Sequence, residues 1–152
     1  MKTKIYLLIS ILFVILSNIG AANNLVISPG AGIGVIKLQS KWLDVEKILG
    51  APAQIITSKK PNTNFCVYKK AGLGFLVEKG IVNGITVYSP KYKLENKISV
   101  GSSQIEVIKT YRLEKIVKKP DGSLIYPEIG LGFTFHLGTV SNIYIIEASK
   151  SN

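Results

Sequence analysis

Few side chains in this sequence are of the types that do chemistry. His136 is the only histidine and Cys66 the only cysteine. A metal site needs several nitrogen, sulfur or carboxylate ligands at set spacings, and this pair provides none. A serine triad would take His136 as base and Ser102, Ser103, Ser123 or Ser141 as nucleophile. None of these serines sits in the Gly-x-Ser-x-Gly turn that exposes such a nucleophile. The nine acids occur singly, as Asp44, Glu46, Glu78, Glu95, Glu106, Glu114, Asp121, Glu128 and Glu147. Paired carboxylates for glycoside hydrolysis would therefore have to be assembled by folding. Gly30-x-Gly32-x-Gly34 lacks both the GxGxxG spacing and the lysine of a phosphate loop, so it reads as relief of crowding at a strand start. Cys66, inside Phe65-Cys66-Val67, reads as a small buried hydrophobe. No enzyme, cofactor or metal is expected.

The remaining chemistry is charge. Lysine and arginine total 19 against 9 acids, a net +10, but Arg112 is the only arginine. Lysine is a strongly hydrated point charge, whereas base and phosphate readout favours the planar fork of arginine. Nucleic acid is thus not the expected partner. The densest basic stretch is Lys109, Arg112, Lys115, Lys118 and Lys119, with Lys115 interleaved with Leu113 and Ile116 as on one side of a strand. Lys91, Lys93 and Lys97 add charge nearby. These groups read either as an ordinary solvated face or as contacts to an anionic polymer or lipid surface. Tyr88, Tyr92 and Tyr144 are expected to be exposed and to add an aromatic contact patch.

The N-terminus reads as a targeting segment. Lys2 and Lys4 precede an apolar run at 5–16, and Gly20-Ala21-Ala22 offers small residues for cleavage after Ala22. The run is short against the ~20 residues that cross a bilayer. No cysteine near that point would carry a lipid. The expectation is a signal peptide at 1–22, a periplasmic or secreted location, and no stable transmembrane segment after processing. An exported chain without a disulfide must be held by its core.

The elements that position these residues are announced by a repeat. Residues 68–90 recur 58 positions on without a gap, with Tyr68/Tyr126, Gly72/Gly130, Leu73/Leu131, Gly74/Gly132, Phe75/Phe133, Gly80/Gly138, Val82/Val140 and Ile85/Ile143 identical. Residues 36–50 match 98–112 at an offset of 62, through Ile36/Ile98, Ser40/Ser102, Val45/Val107 and Lys47/Lys109. Such a repeat points to duplicated supersecondary structure. A helix is predicted over 40–49, with Ser40 as cap and Trp42, Val45, Ile48 and Leu49 as its apolar stripe. Gly50 and Pro52 end it. A second helix starts at the capping box Ser103-x-x-Glu106, with Val107, Ile108 and Tyr111 on its apolar face. Strands are predicted at 53–58 and 113–118, then as meanders over 65–69, 73–78 and 81–88 and over 124–126, 131–136 and 139–146. Residues 89–97 read as a polar surface connector. The expected fold class is α+β: a first unit at 23–90 and a second at 91–152, two tandem units packed as one body. Each would be a short strand and helix followed by a three- to four-stranded antiparallel meander.

The pattern Leu38-x-Ser40-x-x-x-x-Val45-x-x-x-Leu49-Gly50-x-Pro52 after an apolar strand resembles that of the BamE-like (SmpA/OmlA) family of bacterial outer-membrane assembly proteins. Tandem units of similar kind are known in β-lactamase inhibitory proteins. The resemblance covers residues 36–88 and, more weakly, 98–146. It implies a protein-binding role without catalysis. The family's lipid-anchoring cysteine is missing, and Gln39 stands where a glycine is usual. The expected function is an exported, non-enzymatic module of the bacterial envelope that binds another envelope or secreted protein. The alternative is a basic module adhering to anionic cell-surface polymer or lipid.

Overall fold

Alternation of apolar and polar side chains sets the strands. In Thr63–Tyr68 (β5), Cys66 and Tyr68 are buried, and in Thr139–Ile146 (β12), Val140, Ile143 and Ile145 are. Such a period of two presents one apolar face to a core. The computed structural model describes residues 25–149. The expected leader at 1–22 and its cleavage point after Ala22 lie outside the described residues.

Two sheets are present. The larger has eight strands: Gln54–Thr57 (β4), β5, Leu73–Glu78 (β6), Ile81–Val87 (β7), β12, Leu131–His136 (β11), Leu124–Tyr126 (β10) and Val117–Lys118 (β9), in that spatial order. All its pairings are antiparallel. The smaller holds Ile36–Lys37 (β3), Gly32–Ile33 (β2), Val26–Ser28 (β1) and Lys93–Leu94 (β8), with β1 and β8 parallel. Two short helices complete the described chain, Trp42–Leu49 (α1) and Gln104–Thr110 (α2).

The α+β expectation of two tandem units packed as one body is overturned. The molecule is mainly β, and strands from both copies of the repeat join edge to edge in one sheet. The join is β7 with β12, through Ile143↔Val87, Tyr144↔Thr86, Ile145↔Ile85 and Ile146↔Gly84. A repeat signals copies but not whether they meet face to face or edge to edge. Here backbone pairing makes the contact, and apolar side chains of both copies line one continuous face.

That face is covered by the helices and the small sheet. Trp42 of α1 packs on Tyr68 and Phe75 with ring centroids 6.0 and 5.9 Å away. Tyr111, just past α2, packs on Tyr126 and Phe133 at 5.2 and 5.8 Å. Within each trio the sheet pair is edge-on, at 86° for Tyr68–Phe75 and 80° for Tyr126–Phe133. Edge-on rings set the positive rim of one against the negative face of the other. Ile27, Ile33, Ile36, Leu94 and Ile98 from the smaller layer finish the core.

Backbone pairing anchors the helix starts. Trp42 N–H donates to the Gly80 carbonyl at 2.8 Å and Gln104 N–H to the Gly138 carbonyl at 2.9 Å. Ser40 is therefore not the cap: Lys41 occupies that position, and the Ser40 hydroxyl donates to the Lys37 carbonyl instead. Ser103 does cap α2, accepting from Glu106 N–H at 3.1 Å. Ile48 leaves its predicted stripe and is 51% exposed, because α1 touches the sheet through Trp42 and Val45.

The connector expected at 89–97 is partly structural. It contributes β8 to the small sheet, and Tyr92 and Leu94 are buried, so Tyr92 is not part of an exposed patch. The Gly30-Gly32-Gly34 run makes the tight turns between β1, β2 and β3, with φ of 62°, 151° and 53°. A Cβ on Gly130 would strike the Ile146 carbonyl oxygen and come within 2.6 Å of the Gly30 Cα, so two glycines let the small sheet's turn approach the large sheet.

Phe75 is fully buried, whereas Leu113 is 89% exposed. Phe75→Ala should lower unfolding free energy by about 3–5 kcal/mol. Leu113→Ala should stay within about 0.5 kcal/mol. Urea titration followed by far-UV circular dichroism reads both. The Tyr68 hydroxyl donates to the Gly50 carbonyl at 2.8 Å. Burial, then the charges of Glu46 and Cys66, push its phenol up to about 12. Because the folded value exceeds the unfolded one, this stabilisation is complete below about pH 10 and lost as pH climbs toward the folded value. Tyr68→Phe should cost about 0.5–1.5 kcal/mol near neutrality. It should also flatten the alkaline decline seen in unfolding curves taken across that window.

Candidate functional site

The second face of the eight-stranded sheet has no helix or sheet over it among the described residues. Register gives its composition. A row of opposed residues crosses all eight strands as Gln54, Val67, Gly74, Thr86, Tyr144, Gly132, Ile125 and Val117. A parallel row carries Ile56, Phe65, Leu76, Gly84 and Ile146. An ordinary solvent face of an antiparallel sheet is polar. This one carries half-exposed aromatic and aliphatic side chains, with Leu76 at 40% and Tyr88 at 39% exposure.

The two halves of this face differ where the sequence copies differ. On the first, the Phe65 ring lies over Gly74: a Cβ there would fall 2.6 Å from the ring's Cζ and 3.0 Å from the Tyr88 hydroxyl. On the second, the residue in the place of Phe65 is Ser123, and Ile125 and the Tyr144 side chain lie over Gly132. The missing ring leaves a shallow hollow of about 570 Å³ lined by Lys119, Pro120, Asp121, Ser123, Ile125, Thr134, Tyr144 and Ile146. Its floor is apolar and its rim is polar. Ser123 N–H donates to Asp121 at 3.0 Å, and that bond holds the Asp121 carboxyl below its ordinary range. Thr134 accepts from Asn142 at 2.9 Å and shares a bond with Ser141 at 2.9 Å, fixing the opposite wall.

The edges of the sheet are also unlike. β9 is two residues long, contains Lys118, and is flanked by Lys115, Lys119 and Pro120. Short, lysine-bearing, proline-stopped edges resist further pairing. β4 is four residues long with every residue exposed, including Ile55 at 56% and Ile56 at 48%. It contains neither lysine nor proline.

The basic stretch is divided by the fold. Lys109 lies in the last turn of α2, and Arg112 follows the helix. Arg112 and Lys118 share a hollow of about 220 Å³ with Glu114, Tyr111 and Tyr126. Lys119 belongs to the larger hollow on the open face, and Lys115 is exposed between them. Residues 113–116 are not strand, so the expected alternation of Lys115 with Leu113 and Ile116 is absent. His136 is exposed at the end of β11, its carbonyl accepting from Thr139 at 2.9 Å. Cys66 is buried, and burial followed by the charge of Glu46 pushes its thiol up. Among the described residues no three His, Cys, Asp or Glu side chains gather where a metal could sit. No described helix is long and apolar enough to cross a membrane.

The sequence reading missed the open face and the bare edge. The signal for the face was present in Phe65, Val67, Ile125 and Ile146, apolar residues in the alternate register of strands already apolar in the first. Nothing in the sequence marked β4 as the last strand of the sheet.

No family profile matches this chain, and no curated protein does. Solved structures share its fold at low identity. A DUF4309 family protein (YjgB) from Bacillus subtilis superposes with a TM-score of 0.54 at 16% identity, over 78% of this chain and 88% of that one. The uncharacterized protein yfeY from Escherichia coli gives 0.52 at 10% identity, over 79% and 97%. An extracellular protein containing a SCP domain from Bacillus anthracis gives 0.49 at 12%, and the match spans 72% of this chain but 44% of that longer one. These likenesses concern the fold alone.

Phe65 is half-buried on the open face while Phe75 is fully buried on the core face. Phe65→Ser, which gives the first half the residue of the second, should cost about 1–2 kcal/mol, well below a core phenylalanine deletion. Urea midpoints of Phe65→Ser and Phe75→Ala measured side by side check the assignment of faces.

Proposed function

We propose that the chain is an exported, non-enzymatic protein-binding module of a bacterial envelope, acting as an adaptor, assembly factor or inhibitor. The observation that carries this reading is the uncovered sheet face, with Phe65, Leu76, Tyr88, Ile125, Tyr144 and Ile146 on a stiff platform. Aromatic anchors around an apolar hollow, ringed by polar groups, are the anatomy of a protein contact. The helix signature at 38–52, resembling that of BamE-like proteins, and the leader-like residues 1–22 support the same reading from the sequence.

Adhesion to an anionic polymer draws less support. The five basic residues singled out by the sequence are spread over α2, a small hollow and the rim of a larger one.

A photo-crosslinking residue in place of Tyr144, used in native envelope, tests the proposal. The expected outcome is one defined protein adduct that persists from about 0.1 M to about 1 M salt, where exposed charges are screened within about 3 Å. Adducts only to polyanionic polymer or lipid, lost over that range, overturn it.

A further inference from the structure

The reading of this chain as a protein-binding module leaves open where a partner attaches, and β4 carries a specific answer that rests on that reading. Ser58 N–H donates to the Thr63 carbonyl at 3.0 Å, and Thr57 stands opposite Asn64. Bonded and non-bonded pairs alternate along an antiparallel ladder. Gln54 and Ile56 therefore turn their backbone groups toward β5, and Ile55 and Thr57 turn theirs outward. Every residue of β4 is exposed. Two outward donors and two outward acceptors lie between isoleucines on opposite faces.

Charge surrounds this edge at both ends. Lys59 and Lys60 follow β4, and Lys69 and Lys70 follow β5 beside the start of β4. Lys60 is paired with Glu78 at 2.8 Å. The two ion pairs among the described residues are that one and Lys47–Asp44, so Lys59, Lys69 and Lys70 have no carboxylate partner there. The charge of Glu46 is felt by Cys66 and Tyr68 of β5. At the start of the strand, Lys69 and Lys70 form the lip of a hollow of about 390 Å³ floored by Leu49, Ala51, Ala53, Tyr68 and Ala71.

We infer that the free edge of β4 accepts an extended segment of a partner protein by antiparallel or parallel strand addition. That segment carries β-branched residues in its middle, an apolar side chain for the hollow, and acidic residues at its ends. Backbone bonds supply affinity in this mode and the side-chain sites supply selectivity. A second copy of this chain fits poorly. Two-fold pairing of β4 with itself would bring Lys59 and Lys60 of one copy against Lys69 and Lys70 of the other.

The test uses the full chain after removal of any leader, and two blocked peptides of alternating valine and threonine. One ends in aspartate pairs and the other in lysine pairs. Titration by nuclear magnetic resonance should show the acidic-ended peptide binding at least about ten-fold more tightly. Amide exchange should slow at Ile55 and Thr57. Ile55→Pro removes an outward donor without touching the bonds to β5 and should weaken binding by about ten-fold or more. Paired Lys69→Glu and Lys70→Glu, on exposed side chains that leave the sheet intact, should remove most of the peptide preference, since Lys59 and Lys60 remain at the other end, and this readout holds even if the proline variant misfolds. Equal binding of both peptides, binding of neither, or protection confined to Tyr144 and Ile125 overturns the inference. So does self-association of the free chain that Ile55→Pro abolishes. If the protein adduct captured through Tyr144 survives Ile55→Pro, the edge inference falls while the binding-module reading stands. If the unaltered chain captures no protein, that reading falls.

Discussion

The pairing of β7 with β12 is the constraint on which the rest depends. Four opposed residue pairs hold it, and the Tyr144↔Thr86 pair lies at its centre. Ile143 faces Val87 while Ile145 faces Ile85, so residues 58 apart exchange roles across the join. Strand bulges fall at matching places, between Leu76 and Val77 and between Thr134 and Phe135. Without the join, each four-stranded piece would end in a bare central edge, and the core face would be split. With it, Phe75 and Phe133 lie on one continuous buried surface, and the helices and the small sheet need cover only one side. Covering one side leaves the other uncovered, which is how the open face arises from the same bond pattern that makes the core.

A duplicated sheet would by itself present two equivalent edges and two equivalent half-faces. Divergence has broken that equivalence at a few positions. Ser123 in place of Phe65 opens the hollow beside Tyr144. The two-residue, lysine-flanked β9 closes one edge, whereas the four-residue β4 leaves the other open. The identical positions of the repeat are glycines and apolar residues that build the fold. Any selectivity must therefore reside in the differences, since residues shared by both copies cannot favour one side of the molecule.

Much of the fold was legible because local rules act within short windows. Ser103 capping α2, the end of α1 at Gly50 and the meander strands β5, β6, β7, β11 and β12 follow from neighbours a few residues apart. Ser40 misled because the free N–H of Trp42 is met by the Gly80 carbonyl, a partner far along the chain. The fold class was misjudged for a related reason: whether two copies meet by faces or by edges is decided by backbone pairing between strands distant in sequence. The connector at 89–97 looked polar because its lysines are, yet Tyr92 and Leu94 sit between them and point into the core. Of the site, the basic residues were visible but their dispersal was not, since it depends on where α2 ends and β9 begins. The open face was hidden by its own regularity, as a strand apolar on both registers looks the same whether its second face is covered or bare.

A stiff sheet suits recognition on energetic grounds. Ordering a loop or a long side chain at an interface costs about 0.5–1.5 kcal/mol for each group immobilised. Phe65, Ile125 and Tyr144 are held by their strands and by packing over Gly74 and Gly132, so less freedom is left for a partner to remove. The same holds for the outward backbone groups of β4, whose direction is fixed by the ladder to β5. A partner that adds a strand must order its own segment, and the lysines at both ends of β4 offset part of that cost only for a segment of opposite charge. Rigidity on one side and charge at the ends thus act together: the first lowers the cost of binding for any extended chain, and the second decides which chain gains by it.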